Sequence, residues 1–369
     1  MSTGLTTGPA AGPTTGPAAG RATAANANIA IVDVAVVGGG PVGLAAAIEA
    51  RLAGLSVAII EPRENAIDKA CGEGLMPGAI PLLARLGVDP QGMPLRGVSY
   101  RSATKHADHV FRAGAGRGVR RTTLHSALAK RAHELGVVRI AARVDAIDQD
   151  ATGVTVAGVR ATWLFGCDGL HSTVRRLAGL ERGRARRSRR YGIRRHYRVE
   201  PWSELIEVHW ARHAEVYVTP VSDTVVGVAV LGPPRTDFDD TIASIPQLAE
   251  RLRGIEMVGT TLGAGPFQQR ATKPSAGRVL LIGDASGYVD AITGEGMRLG
   301  FDQARVAVAA IVDGVPERYN RDWRRVTRDF RVLTAGLVGA ASGPLRGGIV
   351  PLAAFAPRIY GAIVERLAR

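Results

Sequence analysis

The sequence predicts an α/β fold in which a parallel-sheet domain carries an inserted antiparallel β-sheet and is followed by C-terminal helices. Three observations lead to this expectation. Two short apolar runs, Val34–Val37 and Val57–Ile60, flank a glycine-rich turn and a helix-forming segment. Two later apolar runs end in Gly/Asp turns, and the stretch between those turns alternates apolar and polar residues. The last segment, 331–369, is apolar and is interrupted by few charges, which indicates packed helices.

The first element is a βαβ unit with a glycine-rich turn. Val34–Val37 is β-branched, apolar and uncharged, as expected for a strand buried on both faces. Gly38, Gly40 and Gly43 then fit the pattern G-x-G-x-x-G, with Pro41 inside it. Such glycines permit a tight turn, a close approach of the backbone to a diphosphate, and close packing of helix on strand. The unit therefore predicts a Rossmann-like dinucleotide-binding domain.

The second strand of this unit ends in an acid, Glu61. It follows Gly38 by 23 residues, which suits an acceptor for the adenosine ribose hydroxyls. This acid argues against a glycine-rich turn in some unrelated α/β protein. NAD and FAD both use the unit, so the choice between them depends on the rest of the chain.

Two later segments share one form, an apolar strand followed by a turn of Gly and Asp. One contains Asp168-Gly169 and the other contains Gly283-Asp284. Turns of this kind put polar groups at the carboxyl edge of a parallel sheet, where ligands bind in open α/β folds.

Together with the loop at 38–43, these segments resemble three motifs of the FAD-dependent oxidoreductases of the para-hydroxybenzoate hydroxylase fold. That group includes the single-component (group A) aromatic monooxygenases and the geranylgeranyl reductases. The middle motif stands here as Asp168-Gly169-x-x-Ser172-x-Val174-Arg175, and the resemblance covers roughly residues 30 to 330. It implies FAD as the cofactor and NADPH or NADH as the reductant, which visits the flavin without a second Rossmann domain.

The resemblance also implies individual roles. Arg121, at the start of a predicted helix, lies near the FAD diphosphate or ribityl chain, or else is an ordinary surface arginine. Asp284 binds the ribityl and diphosphate region. Gly294 and Gly296 present N–H groups to the pyrimidine end of the flavin, where a helix N-terminus stabilises negative charge. Asp168-Gly169 is linked to FAD and NAD(P)H, or only shapes the sheet edge. The residues expected to bind FAD are Gly38, Gly40, Pro41, Gly43, Glu61, Arg63, Gly72, Arg121, Asp168, Gly169, Asp284, Gly294, Gly296 and Met297.

The loop after the second strand distinguishes the subfamilies. It reads Lys69-Ala-Cys-Gly-Glu-Gly-Leu-Met-Pro77 and resembles the Cys-Gly-x-Gly segment of geranylgeranyl reductases. Cys71 is therefore a candidate catalytic residue beside the flavin, or else a small residue packed under the ring. Gly72 allows close approach to the cofactor. The ending Thr293–Met297 also resembles the reductases. The stretch before it, 286–293, lacks the proline that hydroxylases usually have there.

Residues 186–272 predict an antiparallel sheet, which resembles the sheet that covers the flavin and lines the substrate pocket in the family. Trp210 and Tyr217 are pocket candidates, or core residues of that sheet. The W-x-W-x-I-P segment of flavin halogenases is absent, which argues against halogenation. The predicted strands are Ile206–Trp210, Glu215–Pro220 and Val225–Leu231.

The sequence divides into four parts. Residues 1–28 are a low-complexity tail that we expect to be disordered. A discontinuous FAD-binding domain comprises 29–185 and 273–330, of which 90–115 contributes to the substrate side. The substrate domain is 186–272, and 331–369 is a C-terminal helical segment.

Composition bounds the partners and the compartment. The net charge is +14, and nine arginines fall between Arg182 and Arg198. That run indicates a solvated loop, or attraction of NADPH phosphate, an acyl carrier protein or an anionic membrane. No nucleic-acid motif accompanies it, so we expect no nucleic-acid partner. Two cysteines in separate motifs, Cys71 and Cys167, suggest a cytoplasmic protein without disulfides, and no metal site is predicted.

The apolar C-terminal stretch packs on the FAD domain or makes a peripheral, monotopic contact with lipid. The chain is expected to be a monomer or a homodimer.

The leading hypothesis is an NAD(P)H-driven FAD-dependent monooxygenase that hydroxylates a small hydrophobic, aromatic or polyketide-like substrate. The alternative is a geranylgeranyl-reductase-like enzyme that reduces C=C bonds of an isoprenoid or lipid. A third hypothesis is a protein whose FAD is structural or sensory. The sequence identifies no catalytic base.

Overall fold

The computed structural model describes residues 30–183 and 190–369. The tail expected to be disordered, 1–28, lies outside the described residues, and so does 184–189 within the arginine-rich segment.

The described elements alternate strands and helices in the first part of the chain and end in a run of helices. The strands are β1 (Ala30–Val37), β2 (Val57–Ile60), β3 (Gly74–Leu75), β4 (Met93–Leu95), β5 (Gly97–Arg101), β6 (His106–Val110), β7 (Gly116–Gly118), β8 (Val138–Ile140), β9 (Asp148–Gln149), β10 (Val154–Val156), β11 (Val159–Gly166), β12 (Tyr191–Arg198), β13 (Leu205–Trp210), β14 (Glu215–Ser222), β15 (Val225–Gly232), β16 (Met257–Ala264), β17 (Gln269–Arg270), β18 (Ser275–Ala276), β19 (Val279–Leu281) and β20 (Gly287–Tyr288). The α-helices are α1 (Pro41–Leu52), α2 (Ala79–Arg85), α3 (Arg121–Glu134), α4 (Thr173–Leu177), α5 (Phe238–Ala243), α6 (Pro246–Leu252), α7 (Gly296–Val312), α8 (Arg318–Ala341), α9 (Ile349–Phe355) and α10 (Pro357–Ala368).

The predicted βαβ unit forms the centre of an eight-stranded sheet. Its strand order is β18-β19-β11-β1-β2-β8, with β10 and β9 attached beside β11. β1 runs parallel to β2 and β11, with Val34 opposite both Val57 and Trp163. Helices α1, α3 and α7 cover one face of the sheet, and β10 and α4 pack on the other. Because both faces are covered, the end of β1, Val34–Val37, is apolar. α1 begins earlier than the helix-forming run at Leu44, because Pro41 suits the first helical position, where no N–H is needed.

The predicted substrate domain supplies most of a seven-stranded sheet. Its order is β16-β12-β15-β14-β13-β5-β6, and β13, β14 and β15 correspond to the three predicted strands. β5 and β6 come from the 90–115 region. The sheet is mixed rather than purely antiparallel, because β5 enters it from the preceding part of the chain and runs parallel to β13.

The C-terminal helices do not start where the sequence suggested. The boundary expected between residues 330 and 331 falls inside α8, since no proline interrupts that 24-residue helix. α9 and α10 pack on β5 and β6 through residues such as Tyr360 and Val364. Among the described residues, no single helix is long and apolar enough to cross a membrane. Pro344–Phe355 and Pro357–Ala368 meet the length and composition criteria only together, and they are bent by 104°.

The solvated-loop interpretation of the arginine-rich segment is wrong where that segment is described. Residues 191–198 form strand β12, and Arg190 and Arg194 are buried. Arg194 lies on one side of the strand, paired with Asp68, while Arg195 lies on the other side and pairs with Asp239. The period-2 alternation of a strand separates two adjacent arginines in this way.

Candidate active site

A cavity of about 380 Å³ lies between the carboxyl edge of the eight-stranded sheet and one face of the seven-stranded sheet. Its volume is in the range of small-molecule sites. Gly38, Cys167 and Ile282, which follow three parallel strands, line it from one side. The motifs recognised in the sequence therefore converge on one cavity, although they are spread over most of the chain.

The glycine turn requires glycine for steric reasons. Gly38 has φ +103°, and a Cβ there would lie 2.6 Å from the carbonyl oxygen of Cys167. A Cβ on Gly43 would lie 1.9 Å from the carbonyl oxygen of Gly38. Gly38, Gly40 and Pro41 line the cavity, whereas Gly43 packs α1 against the turn.

Glu61 supports the turn from behind. Its carboxylate accepts hydrogen bonds from Gly39 N at 2.9 Å and Arg63 Nε at 2.7 Å. Burial alone would raise the pKa of Glu61, but the hydrogen bonds from Arg63 and Gly39 outweigh it and lower the pKa. The Arg63 side chain lies in the cavity wall and Glu61 lies behind it.

Arg121 is not an ordinary surface arginine, because its guanidinium lies in the cavity wall. Nη1 contacts Met297 Sδ at 3.7 Å, and Nε has no hydrogen-bond partner among the described residues. On the next turn of α3, His125 donates from Nε2 to the carbonyl oxygen of Gly39 at 3.0 Å. Burial lowers the pKa of His125, which keeps the imidazole neutral in that contact. No motif in the sequence points to His125.

The Asp168 motif fixes two turns of the site. The Asp168 carboxylate accepts from Ser172 Oγ at 2.5 Å and from Val174 N at 3.0 Å, so it is used at the start of α4. Burial raises the pKa of Asp168, and these hydrogen bonds oppose that rise. Arg175 is buried and donates to the carbonyl oxygens of Leu170 and Ala285 at 3.1 and 3.0 Å. The arginine of this motif thus joins the Asp168-Gly169 turn to the segment beside Asp284.

The last motif places an acid and a helix N-terminus together. Asp284 lines the cavity. Burial raises the pKa of Asp284, and the positive charges of Lys69, Arg121 and Arg175 oppose that rise. Gly296 is the first residue of the 17-residue helix α7 and lies beside this acid: a Cβ on Gly296 would be 3.8 Å from Asp284 Oδ1. The free N–H groups at that helix start lie at the cavity.

Two further predicted residues of this motif, Gly294 and Met297, also line the cavity. Glu295, between the glycines, does not line it. Glu295 Oε2 accepts from Arg298 Nε at 2.5 Å, and Oε1 has no hydrogen-bond partner among the described residues. Burial raises the pKa of Glu295 to about 7.

These residues fit FAD. The turn offers backbone N–H groups at the start of α1, and α7 offers a second helix start near Asp284. Arg63, Lys69 and Arg121 put three cationic side chains in the wall of the same cavity. Arg121 Nε is buried and has no hydrogen-bond partner among the described residues, so it can donate a hydrogen bond to a diphosphate oxygen. Lys69 is a further cation of the site that is not among the predicted FAD-binding residues.

The Cys71 loop is held by a buried polar network. Cys71 is half-buried, lines the cavity, and accepts a hydrogen bond from Glu73 N at 3.4 Å. Glu73 has φ +58°, and its carboxylate contacts His196 Nε2 at 2.5 Å and Arg121 N at 2.9 Å.

The tautomer of His196 follows from its second contact. Arg194 Nη1 lies 2.8 Å from His196 Nδ1, and a guanidinium can only donate. Nδ1 is therefore the acceptor, so Nε2 carries the proton that is donated to Glu73. The network fixes the Cys71 loop to strand β12, and sequence analysis missed it because Glu73 and His196 are 123 residues apart.

The end of the cavity below the seven-stranded sheet is aromatic. Tyr217 lines the cavity and donates from its hydroxyl to the carbonyl oxygen of Ile292 at 2.8 Å. Trp210, the other predicted pocket residue, does not line the cavity. Its ring packs behind Tyr100, which does, with 5.4 Å between ring centroids. Strand alternation gave the correct face for Trp210, but Tyr100 from the neighbouring strand lies between it and the cavity.

No group of three or more His, Cys, Asp or Glu side chains with metal-binding geometry occurs in residues 30–183 and 190–369. Cys167 is buried, and desolvation raises its pKa well above the usual value for a thiol. Its carbonyl oxygen lies next to Gly38 and its Cβ next to Gly43.

Comparison with known proteins agrees with this geometry. The chain is 28% identical over 318 residues to a 12-dehydrotetracycline 5-monooxygenase/anhydrotetracycline 6-monooxygenase of Streptomyces rimosus, which covers 74% of this chain and 61% of that protein. The chain spans about three fifths of the length of the first curated relatives. It is 27% identical to a menaquinone reductase of Mycolicibacterium smegmatis over 90% of this chain and 92% of that one.

A solved structure shares the fold over nearly its whole length. The p-nitrophenol 4-monooxygenase of Pseudomonas putida superposes with a TM-score of 0.75 at 21% identity, covering 92% of this chain and 97% of that one. The family described as FAD binding domain matches residues 31–313, which include the glycine turn, Asp168-Gly169, Asp284 and the start of α7. The chain therefore belongs to this family of FAD-binding flavoproteins, as its resemblance to the para-hydroxybenzoate hydroxylase fold predicted.

Proposed function

We propose that this flavoprotein is an NAD(P)H-driven monooxygenase that hydroxylates a small aromatic or polyketide-like molecule. One observation carries the proposal. The cavity extends from the predicted FAD-binding residues to an apolar, aromatic end lined by Tyr100, Tyr217, Phe267 and Tyr288. An aromatic substrate can pack there while its reacting carbon faces the flavin end. The monooxygenase activities of relatives in the same family support the same reaction.

FAD, when bound and reduced, supplies the electrons that activate molecular oxygen. The residues of this chain bind and orient the reactants. Arg63, Lys69 and Arg121 would offset the negative charge of the bound cofactor, and the N-terminus of α7 would stabilise negative charge on the reduced flavin. The apolar wall excludes water from the reacting atoms.

Strand β12 contributes one cationic side chain to the cavity wall, Arg194, whose Nη2 is paired with Asp68. Arg194 is buried, lines the cavity, and its Nε has no hydrogen-bond partner among the described residues. A phenol oxygen that accepts a hydrogen bond from this Nε would be more acidic, because a hydrogen bond from a guanidinium favours the phenolate; the carboxylate of Asp68 offsets part of that effect. Ionisation makes the ring more electron-rich, which suits hydroxylation. The proton that the phenol loses goes to solvent or to a neighbouring acceptor.

NADPH or NADH is proposed as the reductant. Within residues 30–183 and 190–369, one βαβ unit carries a G-x-G-x-x-G turn, and it lies in the eight-stranded sheet, so the nicotinamide nucleotide is proposed to visit the cavity without a Rossmann domain of its own. Gly169 and Lys69 lie together at that part of the wall. A phosphate or carboxamide bound there can contact the backbone of Gly169 and the ammonium group of Lys69.

The test uses the flavin-loaded enzyme, NADPH or NADH, and isotopically labelled oxygen gas with a panel of phenolic and polyketide-like compounds. Monooxygenation predicts a product that contains one labelled oxygen atom, and consumption of oxygen in step with the nicotinamide nucleotide. Product formation that continues under nitrogen, with no label from oxygen gas, would contradict it.

A second candidate is reduction of a C=C bond in an isoprenoid. The specific observation in its favour is that the menaquinone reductase match extends over nearly all of both chains, whereas the tetracycline monooxygenase is much longer than this chain. Cys71 also lines the cavity, as the reductase-like loop implied. The same experiment separates the two: a reductase consumes NAD(P)H anaerobically when a menaquinone-like isoprenoid is added and yields a product with two more hydrogen atoms.

A further inference from the structure

The C-terminal helices carry an unusual share of the solvent-exposed apolar side chains. We call these residues the apolar ridge. Phe355 is the most exposed of them, at 88%. The ridge consists of Val332, Leu345, Leu352, Phe355, Ile359 and Ile363. It is about half of the large exposed apolar side chains in the described parts of the molecule, although α8 to α10 form a small fraction of the chain.

The ridge is the outer side of a wall whose inner side is the cavity. On α10, Tyr360, Val364 and Leu367 point inward and are buried, and Val364 and Leu367 line the cavity. Ile359 and Ile363, each one residue before Tyr360 and Val364, lie about 100° around the same helix from those two side chains and are exposed. A single helix therefore separates the predicted substrate site from an apolar surface.

Basic side chains accompany the ridge. Residues 318–369 contain ten arginines and three acidic residues, which accounts for half of the net charge of +14. Arg324, Arg325, Arg328 and Arg358 are exposed, and none of them makes an ion pair with another described residue. Arg358 directly precedes Ile359 in α10.

We propose that the apolar ridge docks this protein on an anionic lipid surface. Short amphipathic helices with apolar and arginine-rich faces lie in the plane of a lipid interface, with the apolar face in the acyl boundary and the cations at the headgroups. The bend of 104° between the two C-terminal helices puts Phe355 at the turn, where it is free to insert. This docking also explains why apolar side chains are left exposed beside unpaired cations.

The docking also bears on the proposed function. If the protein docks in this way, an apolar substrate enters the cavity from the lipid past α10, and this step rests on the proposed function. A second copy of the chain is the competing occupant of the ridge. In a twofold-symmetric dimer, the unpaired arginines of each copy would face those of the other, and their repulsion opposes that arrangement. Anionic headgroups neutralise the same arginines.

The test is co-sedimentation of the full flavin-loaded chain with vesicles. The vesicles contain phosphatidylcholine alone or phosphatidylcholine with one third phosphatidylglycerol. We expect binding to the anionic vesicles and at least about 25-fold weaker binding to the neutral ones, since each arginine that reaches an anionic surface contributes about fivefold and two of them suffice for this difference. The double variant Leu352→Ser/Phe355→Ser should lose about tenfold or more in partition coefficient, because it removes two large apolar side chains from the acyl boundary.

Val312→Ser is the matched control, since Val312 is half exposed at the end of α7 and outside the ridge. It should bind the vesicles like the unsubstituted chain. Arg324→Gln/Arg358→Gln should weaken binding to anionic vesicles and leave the weak binding to neutral vesicles unchanged. Equal binding of the chain and its Leu352→Ser/Phe355→Ser variant would overturn the proposal. So would the absence of vesicle binding together with a concentration-dependent dimer that Phe355→Ser dissociates.

Turnover distinguishes failure of docking from failure of the proposed reaction. With a water-soluble phenol, Leu352→Ser/Phe355→Ser should retain the activity of the unsubstituted enzyme. With a long-chain phenol dissolved in anionic vesicles, the variant should lose about as much activity as it loses in vesicle binding. Vesicle binding without any hydroxylation would leave docking intact and contradict only the reaction.

Discussion

The two ends of the cavity are built differently. The FAD end is made of backbone groups in tight turns, at Gly38 and Gly296, supported by the side chains of Glu61 and Arg175. The substrate end is made of side chains from β5, β12, β13, β14 and α10, together with Phe267 and Tyr288, and these are far apart in the sequence. The FAD end presents mainly backbone groups, which are the same whichever side chains surround them, and it is suited to a cofactor that does not change. The second can change its ligand through one substitution, so it is the end that sets the substrate.

The largest expected effect breaks the FAD end. Gly43→Ala puts a Cβ 1.9 Å from the carbonyl oxygen of Gly38, a backbone atom that cannot move without opening the turn. We expect a loss of at least about 3 kcal/mol of unfolding free energy and loss of bound flavin. Urea denaturation and flavin content after purification measure both. Gly339→Ala is the control, because it lies in α8 with open space around it and should be neutral or slightly stabilising.

The same contrast explains what the sequence could predict. The strands β1 and β2, the glycine turn and the turns at Asp168 and Asp284 follow from short local patterns, and the helix start at Gly296 from the family resemblance; residues of these turns and of that helix start line one cavity. Local patterns suffice there because a turn that approaches a diphosphate needs glycine and a helix start within a few residues.

The substrate end could not be predicted in the same way. Trp210 was expected in the pocket on the basis of alternation, but alternation fixes only the face of a strand, and Tyr100 from another strand covers that position. Arg194 was expected in a solvated loop, because a run of arginines does not show which members meet buried acids. Val364 and Leu367, at the end of the chain, were not identified as cavity residues by any local pattern.

The second prediction tests the network that joins the two ends. His196→Leu removes the donor to Glu73 and leaves that carboxylate buried with fewer partners. We expect a loss of about 3 kcal/mol in unfolding free energy and a fall in turnover, because the Cys71 loop is no longer held against β12. His133→Leu, at an exposed position of α3, should change neither. Retained stability in His196→Leu would mean that the loop does not depend on this contact.

The third prediction concerns pH and Glu295. Its pKa is raised by burial to about 7 from 4.5, so the folded state favours the protonated carboxyl. The stabilisation from this proton is complete below the unfolded pKa and is lost as the pH rises through 7. We therefore expect Glu295→Gln to be more stable than the unsubstituted protein at pH 8 by about 2 to 3 kcal/mol, relative to their difference at pH 5. Chemical denaturation at the two pH values measures this, with the exposed Glu317→Gln as the control.

The fourth prediction tests the ribose assignment at the FAD end. Glu61→Gln keeps the size of the side chain and removes its charge, which weakens hydrogen bonds from ribose hydroxyls. We expect about tenfold weaker FAD binding, measured by flavin fluorescence titration of the apoprotein. Glu64→Gln, three residues later and exposed, should bind FAD normally. An unchanged affinity in Glu61→Gln would restrict Glu61 to holding Gly39 and Arg63.

The smallest expected effect lies where the two ends meet. Cys71→Ser replaces the sulfur by a hydroxyl of similar shape that can still accept from Glu73 N. If the enzyme is a monooxygenase, FAD stays bound and hydroxylation changes by no more than about twofold, because the thiol only packs beside the ring. If it is a reductase that uses the thiol as a proton donor, anaerobic reduction of an isoprenoid falls by at least about tenfold. Cys167→Ser, at the buried cysteine outside that loop, is the control for loss of a thiol. Parallel assays of these variants with a phenol in air and an isoprenoid under nitrogen therefore decide which chemistry this cavity performs.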